Sequence, residues 1–167
     1  LAVGRKVPRW PECHEPGWVL NKTIEEQQID LLHYITAVVK RYQSHRSVIV
    51  WQAENEPFLA FGVCPKFDVK FLDKEIATIK SVDSSRPVLI TDSGELSMWI
   101  WAAQRGDIFG TTMYRTVYNK VVGYLTYPLP PQFFRFKRAI TEMFINKKPM
   151  IVIELQGEPW GPGEIKY

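Results

Sequence analysis

No apolar run in this 167-residue sequence approaches the ~20 residues of a membrane span, so no membrane partner is expected. Cysteine is scarce: Cys13 and Cys64 are too few for a disulfide scaffold and lack metal-ligand spacing. Two free thiols are expected, with a bridge between neighbouring loops as the alternative. No Gly-rich phosphate loop follows any apolar segment, which removes the usual nucleotide signature. Among three histidines there is no His-x-x-x-His or Cys/His cluster, so neither metal nor other cofactor is expected. Charge of one sign does not dominate. The formal net charge is +3, and the basic residues (Lys40 and Arg41, Arg135 to Arg138, Lys147 and Lys148) are scattered over apparent helix surfaces. No basic stripe interleaves with stacking aromatics, which argues against nucleic acid.

What is present suffices for one globular core, with 46% hydrophobic residues and ordinary charge, so residues 1–167 read as a single domain. The chain starts at Leu1 rather than Met, and its opening, through Val7, reads as a strand. A cleaved or missing stretch is expected before it. Composition carries no signal for localisation or oligomeric state.

Hydrophobic periodicity then alternates regularly. A helix is expected over about Ile24 to Gln43, with Ile29, Leu32, Ile35, Thr36 and Val39 at helical spacing and Asn21 or Thr23 as cap. An apolar strand, Val48 to Ala53, ends at Asn55-Glu56-Pro57. A helix over about Val69 to Val82, capped by Asp68, leads to a strand at Val88 to Thr91. A short helix over Leu96 to Gln104 and a strand over Asp107 to Tyr114 follow. A long loop through Pro128, Pro130 and Pro131 precedes a helix near Gln132 to Asn146 and a last strand, Met150 to Glu154. Crossovers of this length imply parallel strands, and continuously apolar strands imply cover on both faces. A doubly wound sheet and a (β/α)₈ barrel both fit. The barrel is favoured, because polar residues cluster at the C-terminal ends of several strands, where barrel active sites sit.

Those ends carry Arg5, Arg9, Trp10, Glu12 and His14; Gln52, Glu54, Asn55 and Glu56; Asp92, Ser93 and Glu95; Tyr114 and Arg115; and Glu154, Gln156, Glu158 and Trp160. Carboxylates, amides, guanidinium groups and indoles on one rim suit a sugar, which presents hydroxyls to polar partners and flat faces to aromatic platforms. Cleavage of a glycoside needs one protonated and one ionised carboxyl group. Glu56 and Glu154 end apolar strands and are the natural pair, with Glu158 as rival to Glu154. Trp51 and Phe58 are expected to give Glu56 an apolar neighbourhood. Glu54 is expected to pair with an arginine, and Trp99 and Trp101 to pack in the core.

The segment Val48-Ile49-Val50-Trp51-Gln52-Ala53-Glu54-Asn55-Glu56-Pro57 resembles the fourth strand of the clan-A glycoside hydrolases, and Pro149 to Glu154 resembles their seventh. The resemblance implies an incomplete (β/α)₈ TIM barrel holding strands three to seven and a retaining hydrolase of a β-linked glycan or oligosaccharide. It implies Glu56 as acid/base, Glu154 as nucleophile, Asn55 as a contact to the sugar 2-hydroxyl and Tyr114 beside the nucleophile. Arg9, Trp10, His14, Glu158 and Trp160 are then candidates for substrate binding. Two other readings stand beside it: a barrel that binds carbohydrate without cleaving it, and a barrel enzyme of another class such as an aldolase. The aldolase lacks its usual Schiff-base lysine at a strand end.

Overall fold

The computed structural model describes residues 1–6, 16–59, 67–119 and 121–157. Five strands form one parallel sheet, in the order β1 (Ala2–Val3), β2 (Trp51–Ala53), β3 (Val88–Asp92), β4 (Ile108–Met113) and β7 (Met150–Leu155). Helices α1 (Ile24–Tyr42), α2 (Val69–Val82), α3 (Trp99–Ala103) and α4 (Pro131–Glu142) lie in the crossovers between successive strands. A two-stranded antiparallel ribbon, β5 (Thr116–Asn119) with β6 (Gly123–Thr126), rises between β4 and α4. The sheet is an incomplete α/β TIM barrel, with five parallel strands where closure takes eight. No helix among the described residues is long and apolar enough to cross a membrane.

The two faces of the sheet differ. Val3, Trp51, Ala53, Val88, Ile90 and Phe109 join Ile35, Val39, Leu72 and Ile79 of the helices in one buried apolar cluster. Strand alternation turns the intervening residues to the other face. There, Gln52 lies beside Thr91, and a Cβ on Gly110 would meet Leu89 and Thr91 at 3.0 Å. The strands are therefore not apolar throughout: their barrel-side residues include an amide and hydroxyls, and these build the site.

Side-chain caps fix the starts of the two longest helices. Thr23 caps α1 in a reciprocal box with Glu26, and Asp68 caps α2 by accepting from the N–H groups of Lys70 and Phe71. Three elements are shorter than their periodicity predicts. β2 begins only at Trp51, because the carbonyl of Val48 is taken by Arg86 Nε at 2.5 Å. α3 begins at Trp99, because Ser93 Oγ accepts from Leu96 N and holds a turn. α4 ends at Glu142, where the N–H groups of Met143 and Phe144 tighten to i−3 acceptors. The expected first strand is also cut short, at Val3, by Gly4 with φ +127°. The β5–β6 ribbon replaces a stretch expected as loop. Trp99 packs in the core as expected, but Trp101 is mostly exposed.

Candidate active site

Glu54 and Glu56 both have left-handed backbone, with φ 60° and 44°. Non-glycine residues pay for that conformation, so the surroundings must hold it. Four contacts do so. Asn55 N donates to the Lys6 carbonyl at 2.5 Å, and Glu56 N donates to Thr91 Oγ1 at 2.9 Å. Lys6 Nζ donates to the carbonyl of Glu56 at 2.8 Å, and Gln52 Nε2 reaches the carbonyl of Glu54 at 3.0 Å. The result is an abrupt turn at the end of β2 that projects the Glu56 side chain toward β4.

There Thr112 Oγ1 donates to Glu56 Oε1 at 2.8 Å. The same hydroxyl accepts from Gly94 N at 3.2 Å, which leaves its one hydrogen free to point at the carboxyl group. Gly94 is required for that approach, since a Cβ on it would lie 1.9 Å from the Thr112 carbonyl oxygen. Burial raises Glu56 to about 7; the Thr112 bond opposes the rise, and the negative charge of Glu154 adds to it. A carboxyl group with that value carries a transferable proton near neutral pH.

Glu154 reaches the same place by a register shift. Thr111 pairs with Val152 but Thr112 pairs with Glu154, so Ile153 is an extra residue in β7. Such a bulge re-aims the side chains beyond it. Glu154 thus stands across from Thr112, whose hydroxyl binds Glu56. Tyr114 Oη donates to Glu154 Oε2 at 2.6 Å. Burial, that bond and the charges of Glu154, Glu56 and Glu95 all raise the Tyr114 phenol, so it stays a donor. Tyr114 N in turn donates to Glu95 Oε1 at 2.6 Å.

Of the residues singled out from sequence, Asn55, Glu56, Tyr114 and Glu154 converge here. Asn55 is buried, with its Oδ1 3.2 Å from Gln52 Nε2. Asp92 and Ser93 are buried at the end of β3, where burial pushes Asp92 up to about 6. Gln156 binds the foot of the β5–β6 ribbon through Arg115 N, Thr116 N and the Thr116 carbonyl. Arg5 turns its guanidinium to Gln27 of α1 at 3.2 Å. Glu54 accepts backbone N–H bonds from Arg5 and Lys6, and the charge of Arg5 also acts on it. Trp51 is not a neighbour of Glu56: it lies on the helix side, where Nε1 donates to Asp83 at 2.9 Å. Phe58 stacks edge-on with Phe67 at 4.9 Å. Arg9, Trp10, Glu12, Cys13, His14, Cys64, Glu158 and Trp160 lie outside the described residues.

Sequence reasoning passed over Thr112, Thr91 and Lys6. The threonines had one visible signal, a hydroxyl in an otherwise apolar strand. Lys6 had none, since its role depends on the chain folding back over Glu56. Among the described residues no group of three or more His, Cys, Asp or Glu side chains is placed to hold a metal.

The fold and the carboxyl pair can be set beside known proteins. A search of curated proteins finds no match. Among solved structures, the chain is similar to a β-D-glucuronidase from Dictyoglomus thermophilum, with 17% identity and a TM-score of 0.49. That alignment covers 75% of this chain but 21% of the glucuronidase, so the chain spans about a fifth of that structure's length. The model of the TIM barrel domain of glycosyl hydrolases family 2 matches residues 11–162. With nearly the whole chain inside that match, the chain belongs to the TIM barrel domain of glycosyl hydrolases family 2.

Proposed function

We propose that this chain carries the catalytic centre of a retaining hydrolase of β-linked glycans or oligosaccharides, on strands three to seven of a clan-A barrel. One observation carries the reading: the Thr112 hydroxyl binds Glu56, the strand register sets Glu154 opposite the same Thr112, and the two acids have different partners. Glu56 is buried and raised to about 7, as suits a proton donor. Glu154 accepts from Tyr114, which orients it and leaves its other oxygen for attack. A raised carboxyl group as proton donor facing an oriented second acid is what double displacement needs.

In this mechanism Glu154 attacks the anomeric carbon while Glu56 protonates the departing oxygen. The resulting glycosyl ester is then hydrolysed by a water that Glu56, now ionised, deprotonates. Asn55 holds the 2-hydroxyl as positive charge develops on the ring. Arg9, Trp10, His14, Glu158 and Trp160 are proposed as substrate-binding residues. No cofactor enters any step.

The test is covalent labelling of the full-length protein with an activated 2-deoxy-2-fluoro glycoside, followed by peptide mapping. The label is expected on Glu154. Glu154→Gln is expected to abolish labelling and to lower turnover by orders of magnitude. Label on Glu158 overturns the choice of nucleophile, and an inverted product overturns the retaining mechanism. Undiminished turnover in both Glu154→Gln and Glu56→Gln places the chemistry elsewhere, and a wild-type protein that holds carbohydrate without turning it over is a barrel that only binds.

A further inference from the structure

Behind the turn that carries Glu56 lie two carboxyl groups that the proposed reaction does not use. Glu54 sits on the turn itself and Glu75 on α2; both are buried, and they are hydrogen-bonded to each other. Glu54 accepts from Arg5 N at 2.6 Å and from Lys6 N. The contact is close enough that a Cβ on Gly4 would lie 2.6 Å from the Glu54 carboxyl group. Glu75 Oε1 has no hydrogen-bond partner among the described residues. An ionised Glu75 there would be a buried charge beside a second one, whereas a neutral acid leaves only a carbonyl oxygen unpaired. Burial, and then the charge of Glu54, push Glu75 up to about 10. Arg5 is the cation near both groups.

We propose that Glu54 and Glu75 are a positioning pair for Glu56. A proton held by Glu75 and donated to Glu54 fixes the carboxylate that clamps the Arg5–Lys6 backbone. Lys6, so placed, donates from Nζ to the carbonyls of Glu56 and Leu59, each at 2.8 Å. The chain of contacts therefore runs from α2 through the turn after β1 to the strained backbone of Glu56, without touching a substrate. The inference rests on the reading of Glu56 as acid/base.

The test compares kcat/KM of the full-length protein on an alkyl glycoside, whose departure needs a proton, and on a dinitrophenyl glycoside, whose departure does not. Glu54→Gln replaces an acceptor with a group that must present an N–H to a donor, and Glu75→Leu removes the proton donor. Both are expected to lose about 10²-fold on the alkyl substrate, the scale of a catalytic group displaced by about 1 Å, and far less on the aryl substrate. Glu75→Gln supplies an amide N–H in place of the acid proton and is expected to rescue the loss seen in Glu75→Leu. Equal losses on both substrates overturn the positioning role, as does a Glu75→Gln protein that behaves like Glu75→Leu. Should Glu54→Gln fail to fold, the two Glu75 variants decide. Glu56→Gln separates the causes. If it shows the leaving-group preference and Glu75→Leu does not, the pair alone is wrong; if it shows none, the acid/base reading falls and takes the pair with it.

Discussion

At the scale of single residues, a group kept as a neutral acid at neutral pH weakens the fold that keeps it. Glu56 is raised from an ordinary value of 4.5 to about 7, so between these values the folded state binds more protons than the unfolded one. Stability must then fall as pH rises through that window, by at most about 3 kcal/mol. Glu56→Gln does not titrate and escapes this loss. The melting temperature of the variant should therefore match wild type near pH 4 and exceed it near pH 8; a constant difference across that range would contradict the value for Glu56. Thr112 supplies a second reading of the same group. Its bond lowers Glu56, so Thr112→Val should move the alkaline limb of the kcat/KM profile to higher pH, while Thr112→Ser leaves it in place. A limb that stays put in Thr112→Val would place the titration elsewhere. Glu56 and Glu154 were legible in the sequence as acids that follow the largely apolar runs Val48 to Ala53 and Met150 to Ile153. The Thr112 hydroxyl that binds Glu56 was not, since a threonine within a strand is ordinary until its partner across the barrel is known.

At the scale of elements, the site depends on how β7 meets β4 and the ribbon that follows it. The bulge at Ile153 moves Glu154 opposite Thr112, and Gln156 then clasps the ribbon's first residues with three bonds of 2.5 to 2.7 Å. Gln156→Ala leaves two backbone N–H groups and a carbonyl without that partner. It should speed proteolysis within residues 114–128, with little change in the melting temperature of the protein as a whole; limited proteolysis with mass mapping reads the sites, and an unchanged cleavage pattern would show that the ribbon is held by other means. The helices and parallel strands were legible because their apolar residues recur at distinct periods. The ribbon was not. Its strands of four residues lack an Asn-Gly type turn, and the prolines after Thr126 mark the segment as irregular. The bulge was equally hidden, because a register shift is a relation between two strands and leaves no mark on either.

At the scale of the whole molecule, five parallel strands leave β1 and β7 as the borders of the described sheet. The border at β7 is costly. Ile151, Val152 and Ile153 are each about two-fifths exposed, and Leu155 more so, although strands of this composition are normally covered on both faces. Phe136, Met143 and Phe144, on and just after α4, are exposed as well. An apolar parallel strand with unpaired N–H and C=O groups is a template for joining another chain, and sheets avoid that by closing or by covering the edge. In a (β/α)₈ barrel the ring of eight strands does both. Residues 1–167 produced alone should therefore form soluble aggregates or precipitate, bind a hydrophobic dye and show no glycosidase activity. Adding the flanking sequence of the full-length protein should restore a monodisperse species, a cooperative melt and turnover together. Light scattering and calorimetry on the two proteins decide the matter. A monomeric 1–167 with a sharp melt would mean that the border of β7 is protected within this chain.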